Sequence, residues 1–479
     1  MSRNTPGNGS RRPTTAPVSM QASDAFFWYA EAATPELRPL VAGLFLLDRA
    51  PDRPRCRAAI ERASHVMPRL RQCVTEPSFG FGMPTWRQDT EFDLDYHFRE
   101  VLLPPPATDV RLLAFVSEVF SAPLDHLRPL WEAHLVGGLA GGRAALFMKL
   151  HHAVLDGVGS NALFDALSQA RRADPVAPVP RPARRAASDT PPPARLLRGA
   201  AAAVSALGLA LGDPADALRQ FGKLARGLGA LAAEVAASSA APAGASGSGI
   251  GRHLATAALP LARLRPIKAR LDCTLNDLVL TLVSGAIGRY QRRRGVRVER
   301  VTCLVPVNLR RVEERAELGN RVGGFPVELP VGEPDARARL ATIQAQTRVA
   351  KRDGHGSATQ LLMQASALLP AAVFRGIAHQ MAGRTQLICS NVPGPPKQRF
   401  LAGARIDQVF PFAPMMFGTP LAIALVSYGP TLGIGLATDP SVLPDPERLA
   451  EALQVEMDAL DMPPPRRRYR AAYTAKSVR

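Results

Sequence analysis

The stretch LFMKLHHAVLDGVGS, residues 146–160, carries the reading of this chain. Residues 144–150 are apolar apart from Lys149 and predict a buried strand. His151 and His152 close it. Asp156-Gly157 then makes a turn, and Ser160 is placed to cap a helix running through Leu163, Phe164 and Leu167. Successive strand residues face opposite ways, so the two imidazoles cannot both enter one cavity. One is left to act as a base while the structure holds the other. Imidazole titrates near neutrality, which suits taking a proton from an alcohol or thiol. Three other readings stand beside this one: satisfied core histidines, chance neighbours in a loop, and a metal site with Asp156 as a third ligand. The metal reading is the weaker, because adjacent strand residues diverge and no clustered Cys or further His completes a shell.

Around this segment the chain is long enough, at 479 residues, for two core-bearing units, and its hydrophobic fraction of 46% is ordinary for a globular protein. Cys56, Cys73, Cys273, Cys303 and Cys389 are scattered, odd in number and never in CxxC spacing. Neither a disulfide framework nor zinc is indicated, and a reducing, cytosolic setting fits. Residues 1–21 lack the apolar core of a secretory signal and are expected to form a disordered basic arm. The formal net charge of +18 favours anionic partners, although much of it sits in Arg runs of the tails and connectors. Nucleic acid is not expected as a partner: there is no zinc-finger spacing, no RNP-like aromatic motif and no helix-turn-helix.

A first unit is expected over residues 22–173. It contains FDLDYHFRE, where Phe92 and Leu94 alternate as in a strand, and PLWEAHLV. A Pro/Arg-rich connector with amphipathic helices follows over 174–252. Leu218, Phe221, Leu224 and Leu228 keep helical spacing there, beside Arg219, Lys223 and Arg226. No apolar stretch reaches the length of a clean membrane span. A second unit is expected over 253–462, mixing helical and strand patterns, and a basic tail over 463–479.

Several motifs, in order, resemble the bacterial wax ester synthase/diacylglycerol acyltransferase family. They are Ser23-Asp24-Ala25, Phe92-Asp93-Leu94 with His97, Pro129-Leu130-Trp131-Glu132, and His151-His152 to Asp156-Gly157. In the second unit they are Asn276-Asp277, Pro306-Val307 with Arg310, Gly319-Asn320, Ser390-Asn391-Val392-Pro393-Gly394-Pro395, and Ser427-Tyr428. The HHxxxDG element alone is shared with nonribosomal peptide condensation domains and other CoA-dependent acyltransferases; the PLW, ND and NVPGP elements narrow the resemblance. Three departures bear on the shape of the substrate pocket. Pro39-Leu40-Val41 stands where the family usually has Pro-Met-His, Gly159 precedes Ser160, and Asn308 stands where Ser is common.

The resemblance implies an α/β fold of two lobes like chloramphenicol acetyltransferase, with mixed sheets and an active-site tunnel between them. It implies transfer of a fatty acyl group from acyl-CoA to a long-chain alcohol or diacylglycerol. His152 would be the general base and His151 would brace the strand. No cofactor or metal beyond the acyl-CoA substrate is implied. Asp156 would be structural, accepting backbone N–H groups or pairing with an arginine. Arg310 of the other lobe is the candidate partner, or else a surface arginine beside Arg311. Gly157 belongs to the turn. Asn276 and Asp277 would support the active site, cap their helix, or do both. Ser390 and Asn391 would line the tunnel near the oxyanion, or simply precede a rigid Pro-Gly-Pro loop. Poorly soluble substrates imply a cytoplasmic protein peripheral to the inner face of the membrane or to lipid droplets, with the 218–228 helix either docking there or packing between lobes. Two further functions remain open: a condensation-type enzyme with a non-lipid acceptor, and a non-catalytic lipid-droplet protein.

Overall fold

The computed structural model describes residues 17–33, 38–76, 83–155, 157–179, 250–308, 322–352, 385–415 and 419–461. In chain order its strands are β1 (Val18–Ser19), β2 (Leu40–Leu47), β3 (Gln72–Thr75), β4 (Thr85–Gln88), β5 (Phe98–Leu102), β6 (Trp131–Gly137), β7 (Ala144–His151), β8 (His253–Pro260), β9 (Val301–Asn308), β10 (Val322–Leu329), β11 (Leu387–Pro393), β12 (Phe400–Leu401), β13 (Ala404–Phe412), β14 (Leu421–Tyr428) and β15 (Thr431–Thr438). The helices are α1 (Ala22–Ala33), α2 (Arg53–Val66), α3 (Leu94–His97), α4 (Asp109–Ser121), α5 (Gly157–Leu167), α6 (Leu261–Arg270), α7 (Leu275–Arg293), α8 (Ala336–Arg352) and α9 (Pro446–Asp461).

Two six-stranded mixed sheets organise the molecule, ordered β12-β13-β2-β7-β6-β5 and β10-β9-β11-β14-β15-β8. The fold is α/β and two-lobed. Each sheet has its own apolar core, but the first core continues across the lobe boundary. It takes in Ala422, Ala424, Val426 and Tyr428 of β14, while Leu421, Ile423 and Leu425 of the same strand face the second core. This is period-two alternation with both faces buried.

The lobes do not follow the chain strictly. The β12–β13 hairpin lies in the second half of the sequence, yet β13 pairs antiparallel with β2 of the first sheet, from Ile406↔Leu47 to Phe412↔Ala42. The expected second unit therefore lends two strands to the first lobe. Tyr428 holds the crossover: its hydroxyl donates to Ile406 O at 3.0 Å and accepts from Arg399 N at 2.9 Å. The strand beneath must be thin where β13 passes over it. A Cβ on Gly433 would stand 2.0 Å from Val409 O, and one on Gly435 would stand 1.9 Å from Pro411 O. The opposing atoms are backbone and cannot swing aside. Gly435→Ala is expected to destabilise the protein by about 1–3 kcal/mol through overpacking. Denaturant unfolding checks this, and a midpoint equal to wild type would contradict it.

Local sequence explains two elements that the periodicity alone misassigns. FDLDYHF is not a strand from Phe92. Asp93 caps a helical turn by accepting from Asp95 N at 2.9 Å, and the strand begins only at Phe98. Helix α5 begins at Gly157, so Ser160 lies within its first turn and does not cap it. Elsewhere LNDLVLT starts α7 as a capping box: Thr274 Oγ1 accepts from Asp277 N at 3.1 Å, and Asp277 Oδ2 accepts from Thr274 N at 3.0 Å. Among the described residues no single helix is long and apolar enough to cross a membrane, and the apolar side chains of α7 fill the second core.

Candidate active site

The histidine strand β7 is central in its sheet, between β2 and β6. One of its faces carries Met148 and Leu150, the other Lys149 and His151. All of these side chains are buried. On the second face Lys149 Nζ donates to Val119 O at 2.7 Å and Ala122 O at 3.1 Å, and pairs with Glu132 of the Pro-Leu-Trp-Glu element. Burial pushes the Lys149 pKa down even so. Burial would also raise that of Glu132, but His134 and Lys149 outweigh it and hold it at about 2. The one charged residue of the strand is thus an internal fastener.

His151 is fully buried. Its Nδ1 accepts from Ala153 N at 3.0 Å, which places the ring proton on Nε2. Nε2 stands 3.1 Å from Glu31 Oε2. Glu31 Oε2 is also 3.2 Å from His126 Nε2. Burial acts to raise the Glu31 pKa, but the two histidines hold it at about 2, and Glu31 in turn raises that of His126.

His152 has different surroundings. It is only half-buried, its backbone N–H donates to Pro39 O at 2.7 Å, and its ring stacks on Phe27 with centroids 4.0 Å apart and planes at 21°. Phe27 belongs to α1, and α1 serves the whole motif. Asp24, Phe27, Trp28 and Glu31 recur at helical spacing on one face. Asp24 Oδ2 lies 2.8 Å from Arg69 Nη2. Arg69 Nη1 in turn donates to Ala153 O at 3.1 Å and Val154 O at 3.3 Å. The turn after the histidines is therefore clamped through a buried guanidinium. Glu31, Arg69, His126 and Phe27 are the site residues that sequence reasoning missed. The signal on α1 was an acidic residue inside FFWYAEAA; Arg69 carries no local signal.

A cavity of about 120 Å³ opens on the same face of β7 as Leu150. The first lobe lines it with Val41, Ala42, Gly43 and Phe45 of β2, Met148 and Leu150 of β7, and Ser160, Asn161, Leu163 and Phe164 of α5. Val409 and Pro411 of β13 extend that wall, and Val392, Pro395, Val426 and Tyr428 of the second lobe complete the lining. The histidines themselves are not among its walls; Leu150, two residues before His152, is the nearest point of the strand. Asn161 Nδ2 donates across the lobes to Pro393 O at 2.8 Å. Val41 and Ser160, two positions where this chain departs from the family pattern, both face the cavity.

The other expected residues are distributed as follows. Ser390 and Asn391 lie inside strand β11 rather than in a loop, half-buried. Ser390 shares the face of cavity-lining Val392 and Asn391 takes the opposite one. Asp277 is occupied by its capping box and by Thr347 Oγ1 at 2.8 Å, within the second lobe, and half-buried Asn276 sits beside it in the first turn of α7. Neither lines the cavity. His97 is buried, with Nδ1 2.7 Å from Trp131 O and its ring stacked on Trp131 at 4.7 Å; Trp131 Nε1 donates to Leu70 O at 2.8 Å. That pair is packing. Asp156, Arg310, Gly319 and Asn320 lie outside the described residues, as does the 194–240 segment with Leu218, Phe221, Leu224 and Leu228. Among the described residues no three His, Cys, Asp or Glu side chains are grouped to hold a metal ion.

The Glu31–His126 contact has a pH signature. A carboxylate held down to about 2 contributes stability above the ordinary carboxylate value, and that stability is lost as pH falls from about 4 towards the folded value. The raised His126 contributes fully below its ordinary value and loses its contribution as pH rises through the raised one. Glu31→Gln is therefore expected to lose less melting temperature than wild type on acidification from about pH 5 to about pH 3. Equal losses would contradict the assignment.

Two mixed sheets share a core and enclose an apolar cavity beside the strand that ends in His151-His152, the arrangement expected of a two-lobed acyltransferase carrying HHxxxDG. Over residues 20–279 the chain matches the wax ester synthase/diacylglycerol acyltransferase catalytic domain, and over 318–461 the C-terminal domain of the same family. The chain belongs to that family. A putative diacylglycerol O-acyltransferase of Mycobacterium tuberculosis is 32% identical over 448 residues, covering 89% of each chain. One of Mycobacterium bovis is 30% identical over 470 residues, covering 92% of this chain and 90% of that one. Among solved structures, the wax ester synthase/diacylglycerol acyltransferase from Marinobacter aquaeolei VT8 shares the fold with a TM-score of 0.63 at 22% identity, covering 93% of this chain and 99% of that one. The first condensation domain of the calcium-dependent antibiotic synthetase, in complex with a substrate analogue, follows at 0.61 and 16% identity, covering 94% and 96%.

Proposed function

We propose that this acyltransferase moves a fatty acyl group from CoA to the hydroxyl of a long-chain alcohol or diacylglycerol, with His152 as general base. The observation that carries the reading is the contrast between the two imidazoles. His151 already accepts a backbone N–H through Nδ1, so it has no free lone pair for a substrate proton. His152 is half-exposed and its ring plane is set by Phe27. In the reaction the His152 imidazole takes the hydroxyl proton as the oxygen attacks the thioester carbonyl. The tetrahedral intermediate collapses by breaking the C–S bond, and the imidazolium returns the proton to the CoA sulfur. Protons and charge balance without a covalent enzyme intermediate, and the reading assigns no metal or cofactor.

The cavity supports an apolar substrate. An engineered protein cavity of about 150 Å³ lined by Leu, Ile and Phe binds benzene. The space of about 120 Å³ here thus suits a short segment of an alkyl chain. The net charge of +18 supports a peripheral position at an anionic lipid surface. Purified protein incubated with palmitoyl-CoA and either hexadecanol or diacylglycerol is expected to release CoA and form ester. Ester formation only with a sugar or amine acceptor would replace this reading with a condensation-type one. No turnover with any acceptor would leave the lipid-droplet reading.

A further inference from the structure

Glu31 performs no chemistry in the reaction above, yet it is buried between two imidazoles. A neutral imidazole carries one N–H, on either nitrogen. In the Nε2–H form of His151, Nδ1 accepts from Ala153 N and the proton faces the Glu31 carboxylate. In the Nδ1–H form two donors would face each other at Ala153, and a bare nitrogen lone pair would face a carboxylate. Ala153 directly follows His152, and its carbonyl is held by Arg69. The amide and carbonyl beside His152 are therefore fastened from two sides, one of them through the His151 tautomer.

We propose that Glu31 is a positioning residue for acyl transfer: its carboxylate selects the His151 tautomer that grips the Ala153 amide, and so holds the peptide that carries His152. His126 completes the arrangement from the far side of Glu31. Its side chain is 42% exposed, and Asp125 and Glu76 act on it in the same sense as Glu31. It supplies a second donor to the buried carboxylate, which keeps that group ionised. The inference rests on His152 being the base.

The full-length protein, labelled with 15N at histidine, separates this role from simple packing. Glu31→Leu is expected to lower kcat roughly 10- to 100-fold, with KM for either substrate within about threefold, because a displacement near 1 Å at a reacting group costs that much. The single Nε2–H signature of His151 is expected to be lost in the same variant. Glu31→Gln keeps an oxygen facing Nε2–H. It should retain that signature and a kcat within about threefold of wild type, while the His126 titration midpoint falls. A folded Glu31→Leu protein with wild-type kcat, or with the His151 signature intact, overturns the proposal. If Glu31→Leu does not fold, Glu31→Gln decides: retained signature and turnover support it, and a tenfold loss of kcat overturns it. Failure of the base reading is seen separately, as turnover by His152→Ala.

Discussion

His152→Ala is expected to lower turnover about 100- to 10,000-fold, the range a positioned general base supplies. The protein should stay folded. The His152 side chain is half-buried and stacks on Phe27, whereas the backbone contacts of the turn run through Pro39 O, Arg69 and His151. Acyl-CoA affinity should also survive, since the cavity walls do not include the ring. His151→Ala should behave differently. It removes the acceptor for Ala153 N and leaves Glu31 facing an empty space, so melting temperature and turnover should fall together. Ester formation by His152→Ala at near the wild-type rate, with affinity intact, would remove the histidine mechanism.

The second large effect is on stability. Asp24 is wholly buried and Arg69 nearly so, and the pair carries the carbonyls of Ala153 and Val154. Breaking a buried pair by removing one partner costs about 3–5 kcal/mol, because the other charge is left without compensation. Asp24→Asn and Arg69→Met should each show this loss in denaturant unfolding. The double variant Asp24→Leu/Arg69→Met should regain part of it, since no buried charge remains. It should not regain turnover, because the turn beside His152 has lost its donor. If the double variant is as unstable as the sum of the singles, the pair acts through packing alone. If Arg69→Met is as active as wild type, the clamp does not position the base.

The clamp is an ion pair that the sequence did not suggest. The expected pairing of Asp156 with Arg310 falls outside the described residues. Among the described residues, a buried pair beside the turn is Asp24 with Arg69, both from the first lobe. Their separation of 45 positions in the chain leaves no spacing to recognise.

Much of the site was legible because it depends on local pattern. An apolar run ending in His-His gives a buried central strand, and the structure has β7 ending at buried His151 with half-buried His152 just beyond it. Thr274 to Asp277 reads as a helix start and is one. The family motifs, taken together, led to the correct two-lobed fold. Misread elements were those where side chains compete with periodicity. Asp93 captures a backbone N–H and turns the chain before Phe98, and Ser390-Asn391 pair with β14 in a strand that runs on to Pro393.

What the sequence determined by itself was therefore the buried strand that ends in two histidines, the start of α7, and the family to which the chain belongs. These follow from residue type and short-range spacing, which local sterics and burial translate directly into structure. Only the tertiary structure decided that α1 supplies Phe27, Asp24 and Glu31 to the histidine turn, and that β13 crosses over Gly433 and Gly435 to join the first sheet. Each of these is a contact between residues far apart in the chain. Its energy comes from burial and from pairing charges that neither segment meets until the lobes have formed.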